Sequence, residues 1–454
     1  MKAIFLTAAL LSASALSACT SQAEVKPERK AKNVILFIGD GMGVSTVTAA
    51  RIFAGQSKGL AGEEYELSFE KFDNLALIKT YNLDAQVADS AGTASAMNTG
   101  IKTQIGKINV TQADNFGGCA DRKAPVKITD LADAIGLSIG IVSTARITHA
   151  TPAAVYGHAA ARGFESDADL SKNARDAGCT DLAAQLIASK ADYVLGGGTA
   201  PFTAGRNDGR DLTAEWAAKS PDHAYVSKAS ELRALPSAGK DVLGLFTKSH
   251  MAFEADRDDS REPSIKEMTE RAIDNLSARD TGYFLMVEGG RIDHAHHGTN
   301  AYRALTDTVA FADAVEAAVK SVDPSETLIL VTADHSHVFT IAGYPRRGNP
   351  ILGLVDSAAG KAFAHDKDGN PYTTLGYHNG PNIRRPGSEP LSQAQVLKPD
   401  YRQQTAVTMD SETHAGEDVA LYATGPGSEA VRGVMDQTEI FDVITVALGL
   451  TPNE

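Results

Sequence analysis

Thr327-Leu328-Ile329-Leu330-Val331-Thr332-Ala333 is a short apolar run, and it is closed by Asp334-His335. Such a run, with no polar alternation, reads as a strand buried on both faces of a parallel sheet. Two others share its form. Asn33-Val34-Ile35-Leu36-Phe37-Ile38-Gly39 ends in Asp40, and Tyr283-Phe284-Leu285-Met286-Val287 ends in Glu288, with Asp293 and His297 just beyond. Open α/β sheets place their sites outside the carboxyl ends of such strands. Several acids brought to one edge repel each other unless cations lie between them. The pattern therefore predicts a multi-metal site at the end of a mostly parallel sheet.

The rest of the chain fits that sheet. Strands are predicted over 33–38, 138–143, 192–195, 283–287, 327–332 and 418–422. Helical patterns lie between them at 128–135, 181–189, 264–278, 301–322 and 437–448. This alternation implies an α/β fold, a three-layer sandwich with helices on both faces of the sheet. Residues 201–240 read as loop-rich. Residues 344–408, rich in Gly, Pro, Asn and Arg, read as an insertion beside the site. No internal repeat is visible.

With 454 residues the chain has room for one large domain with insertions. Its 43% hydrophobic and 22% charged content is ordinary for a globular protein. The formal net charge of −14 argues against nucleic acid as a partner. It does not exclude an anionic substrate, because bound cations reverse the local field.

Met1-Lys2 and the short apolar stretch after it read as an export signal over residues 1–18. Leu16-Ser17-Ala18-Cys19 resembles a bacterial lipobox, which would put a lipid on Cys19 and make 19–32 a tether. Thr20 after that cysteine suggests the outer membrane, in the periplasm or at the cell surface. Ordinary cleavage nearby, for example after Ala23, would instead release a soluble exported protein. No later run is long and apolar enough to span a bilayer. Cys119 and Cys179 remain; in an oxidising compartment they are either paired or two separate thiols.

Asp89-Ser90-Ala91-Gly92-Thr93-Ala94-Ser95-Ala96 is the second informative segment. A serine at a helix start sits where free N–H groups favour an anion. Its hydroxyl becomes a useful nucleophile only when a base or a metal activates it. Most Asp-Ser pairs are simply helix caps, and the nearby acids are what raise this one above that reading. In Asp293-His294-Ala295-His296-His297, Asp293 and His297 share a helix face and could hold one ion. Carboxylate and imidazole together suit zinc or a similar metal. His296 then points elsewhere, to the surface or behind the ligands. His414 lies just before a predicted strand and is a further candidate.

Five segments in order resemble the alkaline phosphatase family, in its animal-type branch. They are Asp40-Gly41-Met42-Gly43, Asp89-Ser90-Ala91-Gly92-Thr93-Ala94, Val287-Glu288-Gly289-Gly290-Arg291-Ile292-Asp293-His294, Thr332-Ala333-Asp334-His335-Ser336-His337 and Thr413-His414-Ala415-Gly416-Glu417-Asp418. The resemblance covers the chain from Asn33 to its end, making 33–454 one domain with a crown-like insertion at about 344–408.

The resemblance implies two zinc ions and one magnesium per chain. Asp293, His297 and His414 would hold the first zinc. Asp40, Asp334 and His335 would hold the second, which also contacts Ser90. Asp40, Thr151 and Glu288 would hold magnesium. His149, His294 and Asp89 would stand just behind these ligands. Ser90 would be the nucleophile, forming a phosphoserine intermediate, and Arg162 would clamp the phosphate of a phosphomonoester. A Cys119–Cys179 disulfide and a homodimer are likewise implied. The chain departs from that branch at Leu245-Phe246-Thr247, where a glutamate would serve a calcium site, and it carries no C-terminal anchor signal, so Cys19 would do the anchoring.

Two other functions fit parts of this pattern. A phosphodiesterase or sulfatase of the same superfamily would keep most ligands, but a third metal and Arg162 favour a phosphate dianion. A lipid-anchored zinc- or phosphate-binding protein without turnover would have no use for Ser90 at a helix start.

Overall fold

The computed structural model describes residues 31–111, 124–357, 362–385 and 387–450. The signal, the tether up to residue 30, Cys19 and Cys119 lie outside these residues, while Ala31 and Lys32 are already bonded to the domain. Cys179 is disulfide-bonded.

Ten strands form one sheet. From edge to edge they are Gly433–Asp436, Asn74–Lys79, Val419–Thr424, Thr327–Ala333, Asn33–Gly39, Tyr283–Gly289, Ser138–Arg146, Tyr193–Gly197, Asp241–Leu245 and His223–Val226. All pairings are parallel except those of Val419–Thr424, which runs against both neighbours. The two strands Tyr283–Gly289 and Thr327–Ala333 are buried along their whole length, and Asn33–Gly39 is buried from its second residue onward. Parallel strands covered on both faces have no solvent side, so alternation is lost and the sequence becomes an apolar run.

Helices flank the sheet in two sets. One contains Val44–Ser57, Ile265–Ser277 and Ala301–Ser321, which pack on one another. The other contains Ser90–Thr99, Ile128–Ala134, Ala150–Tyr156 and Glu439–Ala447. Their starts are locally encoded. Ser264 accepts a hydrogen bond from Glu267 N and Asn300 from Arg303 N, each satisfying an N–H that the first turn leaves open.

The stretch 201–240 is more structured than its sequence suggests. It contains the helices Leu212–Ala218 and Ala229–Ala234 and the edge strand His223–Val226. Two turns of helix show too little periodicity to read, yet Asp211 caps the first and Trp216 anchors it in the core. Within 344–408, Leu375–Gly380 and Gln404–Thr408 join Phe339–Ile341 in a separate three-stranded sheet. No helix among the described residues is long and apolar enough to cross a membrane.

Candidate active site

Strand register gathers the acids. Gly39 is paired with both Gly289 and Ala333, so three adjacent strands end at one level. Asp40, Glu288 and Asp334 therefore emerge side by side, and each is fully buried. Gly41 follows with φ +69°, and a Cβ there would collide with the His337 ring at 2.3 Å, so the turn needs glycine twice over. The antiparallel strand Val419–Thr424 begins at this same edge, which brings in His414 from the segment before it.

Asp293 and His297 lie on the helix Arg291–His297. His297 Nδ1 lies 2.6 Å from Glu412 O, and His414 Nδ1 lies 2.8 Å from Ala88 O. Each Nδ1 therefore donates its hydrogen to a carbonyl, and each Nε2 presents a lone pair. Those Nε2 atoms are 3.2 Å apart and lie 3.2 Å and 3.4 Å from Asp293 Oδ1. Three acceptors facing each other need a cation among them. A tetrahedral zinc with bonds of roughly 2.0–2.1 Å separates its ligands by about 3.3 Å.

A second set repeats that spacing. His335 Nε2 lies 3.4 Å from Asp40 Oδ1, 3.3 Å from Asp334 Oδ2 and 3.3 Å from Ser90 Oγ. Both oxygens of Asp40 and Oδ2 of Asp334 have no hydrogen-bond partner among the described residues. The His335 and His414 rings stack with centroids 3.6 Å apart, so the two sets are contiguous.

A third set shares Asp40. Ligand atoms of Asp40, His149 and Glu288 lie within 4.8 Å of one another. Glu288 Oε1 and Thr151 Oγ1 are buried without hydrogen-bond partners among the described residues, while Ser143 Oγ donates to the other Glu288 oxygen.

The electrostatics show what these acids lack. Burial, then Asp334, Asp293 and Glu288, push the Asp40 carboxyl well above its ordinary value. Burial raises Glu288 to about 7 and also raises Asp334. Burial acts on Asp293 in the same sense, but the facing rings of His297, His337 and His414 hold it well below. Carboxyls that hold protons this firmly are sites where a divalent cation would reverse the local balance.

Ser90 is the first residue of the buried helix Ser90–Thr99, and Asp89 caps it by accepting from Gly92 N at 3.1 Å. The capping reading and the catalytic one are thus compatible. At Gly92 a Cβ would meet Asn82 Oδ1 at 2.2 Å, so a larger residue would push aside the Asn82 side chain that donates to Asp89. Asp89 also accepts from Arg162 NH1 at 3.1 Å, and Arg162 NH2 lies 3.1 Å from His149 Nε2. The guanidinium is partly exposed beside the buried acids.

Every ligand candidate from the sequence meets here. His296 is buried, between Thr46 Oγ1 at 3.0 Å and the Tyr377 hydroxyl at 2.8 Å, and is not at the surface. His294 turns to the other side of its helix from these contacts, its Nδ1 2.8 Å from Gly290 O and its ring 4.1 Å from that of His250. Sequence reading missed His337, Glu412, Ser143 and His250. His337 Nε2 lies 3.0 Å from Asp293 Oδ1 and its Nδ1 lies 2.6 Å from Glu412 Oε2. Period-two spacing could have found this pair: His335 and His337 alternate, as do Glu412 and His414, and His337 is paired with His414 in a short antiparallel ladder. His250 stands alone on a loop and gave no signal.

The family model for alkaline phosphatase matches residues 31–450. The chain belongs to the alkaline phosphatase family. It is 41% identical to the tissue-nonspecific isozyme of alkaline phosphatase from Gallus gallus, over 93% of this chain and 85% of that one. It is 40% identical to alkaline phosphatase from Gadus morhua, over 91% of each. Among solved structures it is similar to the Thermus thermophilus alkaline phosphatase, with a TM-score of 0.70 and 26% identity over 93% of this chain and 92% of that one. The alkaline phosphatase of the Antarctic bacterium TAB5 gives a TM-score of 0.66 and 26% identity, over 93% and 99%. The likeness to animal enzymes and to this fold matches what the motifs implied. The family is metal-dependent, in keeping with the three acceptor sets.

Proposed function

We propose that the chain hydrolyses phosphomonoesters through a phosphoseryl intermediate at Ser90, releasing an alcohol and then inorganic phosphate. The observation that carries this is the repeated spacing of 3.2–3.4 Å within two acceptor sets, one of which includes the Ser90 hydroxyl. Asp293, His297 and His414 would hold one zinc, and Asp40, Asp334 and His335 a second beside Ser90. Asp40, Thr151 and Glu288 would hold magnesium, with His149 nearby. A variant of the TAB5 enzyme is described with magnesium in its site M3. When bound, such ions lower the pKa of a coordinated hydroxyl and neutralise charge on entering and leaving oxygens.

The chain's own groups do the rest. Ser90 Oγ forms its bond to phosphorus as the ester P–O bond breaks, and the alcohol departs. Water then cleaves the seryl ester. The start of the helix Ser90–Thr99 presents N–H groups to the phosphoryl oxygens. Arg162, whose planar fork suits two oxygens, turns from His149 to the phosphate while Asp89 keeps its aim. Ser143 fixes Glu288, and His337 with Glu412 fixes Asp293.

Export with lipid attachment at Cys19 and assembly as a homodimer belong to the same reading. Ala31 N bonds Ala447 O and Lys32 N bonds Glu326 O, at the amino ends of the strands. A tether leaving there would turn the site away from the membrane.

The test compares p-nitrophenyl phosphate with bis(p-nitrophenyl) phosphate after EDTA treatment, then after restoring zinc and magnesium. Metal-dependent turnover that favours the monoester supports the reading. Preference for the diester would move the chain to phosphodiesterase chemistry, and no turnover by the folded, reloaded protein would contradict it.

A further inference from the structure

We propose that His149, His250 and His294 form a further, all-nitrogen binding site for a divalent cation of the zinc, cobalt or nickel type, sharing His149 with the neighbouring set of Asp40 and Glu288. The three residues come from different elements. His149 precedes the helix Ala150–Tyr156, His250 follows the strand Asp241–Leu245, and His294 lies on Arg291–His297. One ring nitrogen of each lies within 4.8 Å of the other two. The ring centroids are 4.1 Å, 5.2 Å and 5.5 Å apart.

Proton placement shows that the rings are not satisfied as they stand. His294 Nδ1 donates to Gly290 O at 2.8 Å, so its Nε2 carries a lone pair. Arg162 NH2 can only donate, so His149 Nε2, 3.1 Å away, is the nitrogen with the lone pair, and the buried Nδ1 carries the hydrogen with no acceptor among the described residues. His250 faces two donors of Arg146, the backbone N at 3.3 Å at Nδ1 and the guanidinium NH1 at Nε2. A neutral imidazole accepts only one of them. One contact is therefore not a bond, and the ring has a nitrogen to yield. Each ring thus carries one lone pair, and three lone pairs gathered in one place call for an explanation, of which an unseen ion is one.

The surroundings permit a cation. Arg146 is neutralised by Glu165, which accepts from its Nε at 2.7 Å and its NH2 at 2.6 Å, and Arg162 is paired with Asp89. No carboxylate belongs to the triad itself. Imidazole alone suits zinc, cobalt, nickel or copper and not magnesium. This separates the triad from the neighbouring set of Asp40, His149 and Glu288, whose oxygens suit a harder ion. Simple packing of three core histidines is the competing account, and it predicts no ion.

The test counts metal. The protein is stripped with EDTA, reloaded with zinc and magnesium, freed of excess and measured by plasma mass spectrometry, beside His250→Ala and His250→Gln. The glutamine keeps a hydrogen-bonding group for Arg146 should the alanine variant fold poorly. The wild-type protein is expected to hold one ion per chain more than either folded variant. Cobalt titration of the stripped wild-type protein provides the count without a variant: visible absorption should keep rising for one equivalent after phosphatase activity has saturated. Equal metal content in wild type and a folded variant, or no such added equivalent, would overturn the site. The phosphatase reading survives that failure, since the count is independent of turnover.

Discussion

His337 Nε2 lies 3.0 Å from Asp293 Oδ1, and the same ring reaches Glu412 on its other side. Burial opposes charge on this imidazole, but Glu412 and Asp293 together raise it to about 10. It is an imidazolium held between two carboxylates, and it fixes which way Asp293 presents its oxygens.

His337→Ala should therefore weaken metal at Asp293, His297 and His414 without removing any of them. Groups placed behind metal ligands typically carry about 10–100-fold in affinity. Competition with a zinc chelator should show a loss of that size. An unchanged zinc affinity would mean that Asp293 is held by its helix alone.

Arg162→Ala should raise KM for a monoester and weaken inhibition by inorganic phosphate. A charge-assisted hydrogen bond contributes about 1.5–3 kcal/mol, which is roughly 10–100-fold in binding. Phosphate inhibition constants for the two proteins read this directly. Equal constants would place Arg162 outside the substrate's reach, in a purely structural pair with Asp89.

Removing metal should make stability fall with alkaline pH. Burial raises Glu288 to about 7 and Asp307 to about 8, and His337 stands at about 10. All three are raised above their unfolded values, so the folded chain binds more protons, and their stabilisation is lost as pH rises through those values. Histidines held low by burial, such as His149 and His335, act the opposite way only below about pH 6.5. The thermal midpoint of the EDTA-treated protein should thus drop between about pH 6.5 and 10. Zinc and magnesium should flatten the curve, because cations then take the place of protons at Glu288. A flat or rising curve for the stripped protein would refute this charge balance.

Much of the core was legible because of burial on both faces. Residues 34–39, 283–287 and 327–333 form nearly continuous apolar runs, and their ends announce Asp40, Glu288 and Asp334. Strand Asn74–Lys79 was not read, because Leu75 and Leu77 face solvent and the segment has neither a long apolar run nor a ligand at its end. Helix Val44–Ser57 is built largely of small residues, and its buried Ala49, Ala50 and Ala54 leave little apolar contrast around the helix. Asp293 and His297 were legible from helical spacing. His337 and Glu412 were hidden because each sits two residues from a ligand, and the alternation shows only once the short ladder is seen.

The most direct measurement is to trap the covalent intermediate. The metal-loaded protein is incubated with radiolabelled inorganic phosphate at mildly acidic pH, quenched, digested and mapped by mass spectrometry. Phosphate on Ser90, and none on protein from Ser90→Ala, is the predicted result. Label that persists in Ser90→Ala, or maps to another residue, would contradict the account.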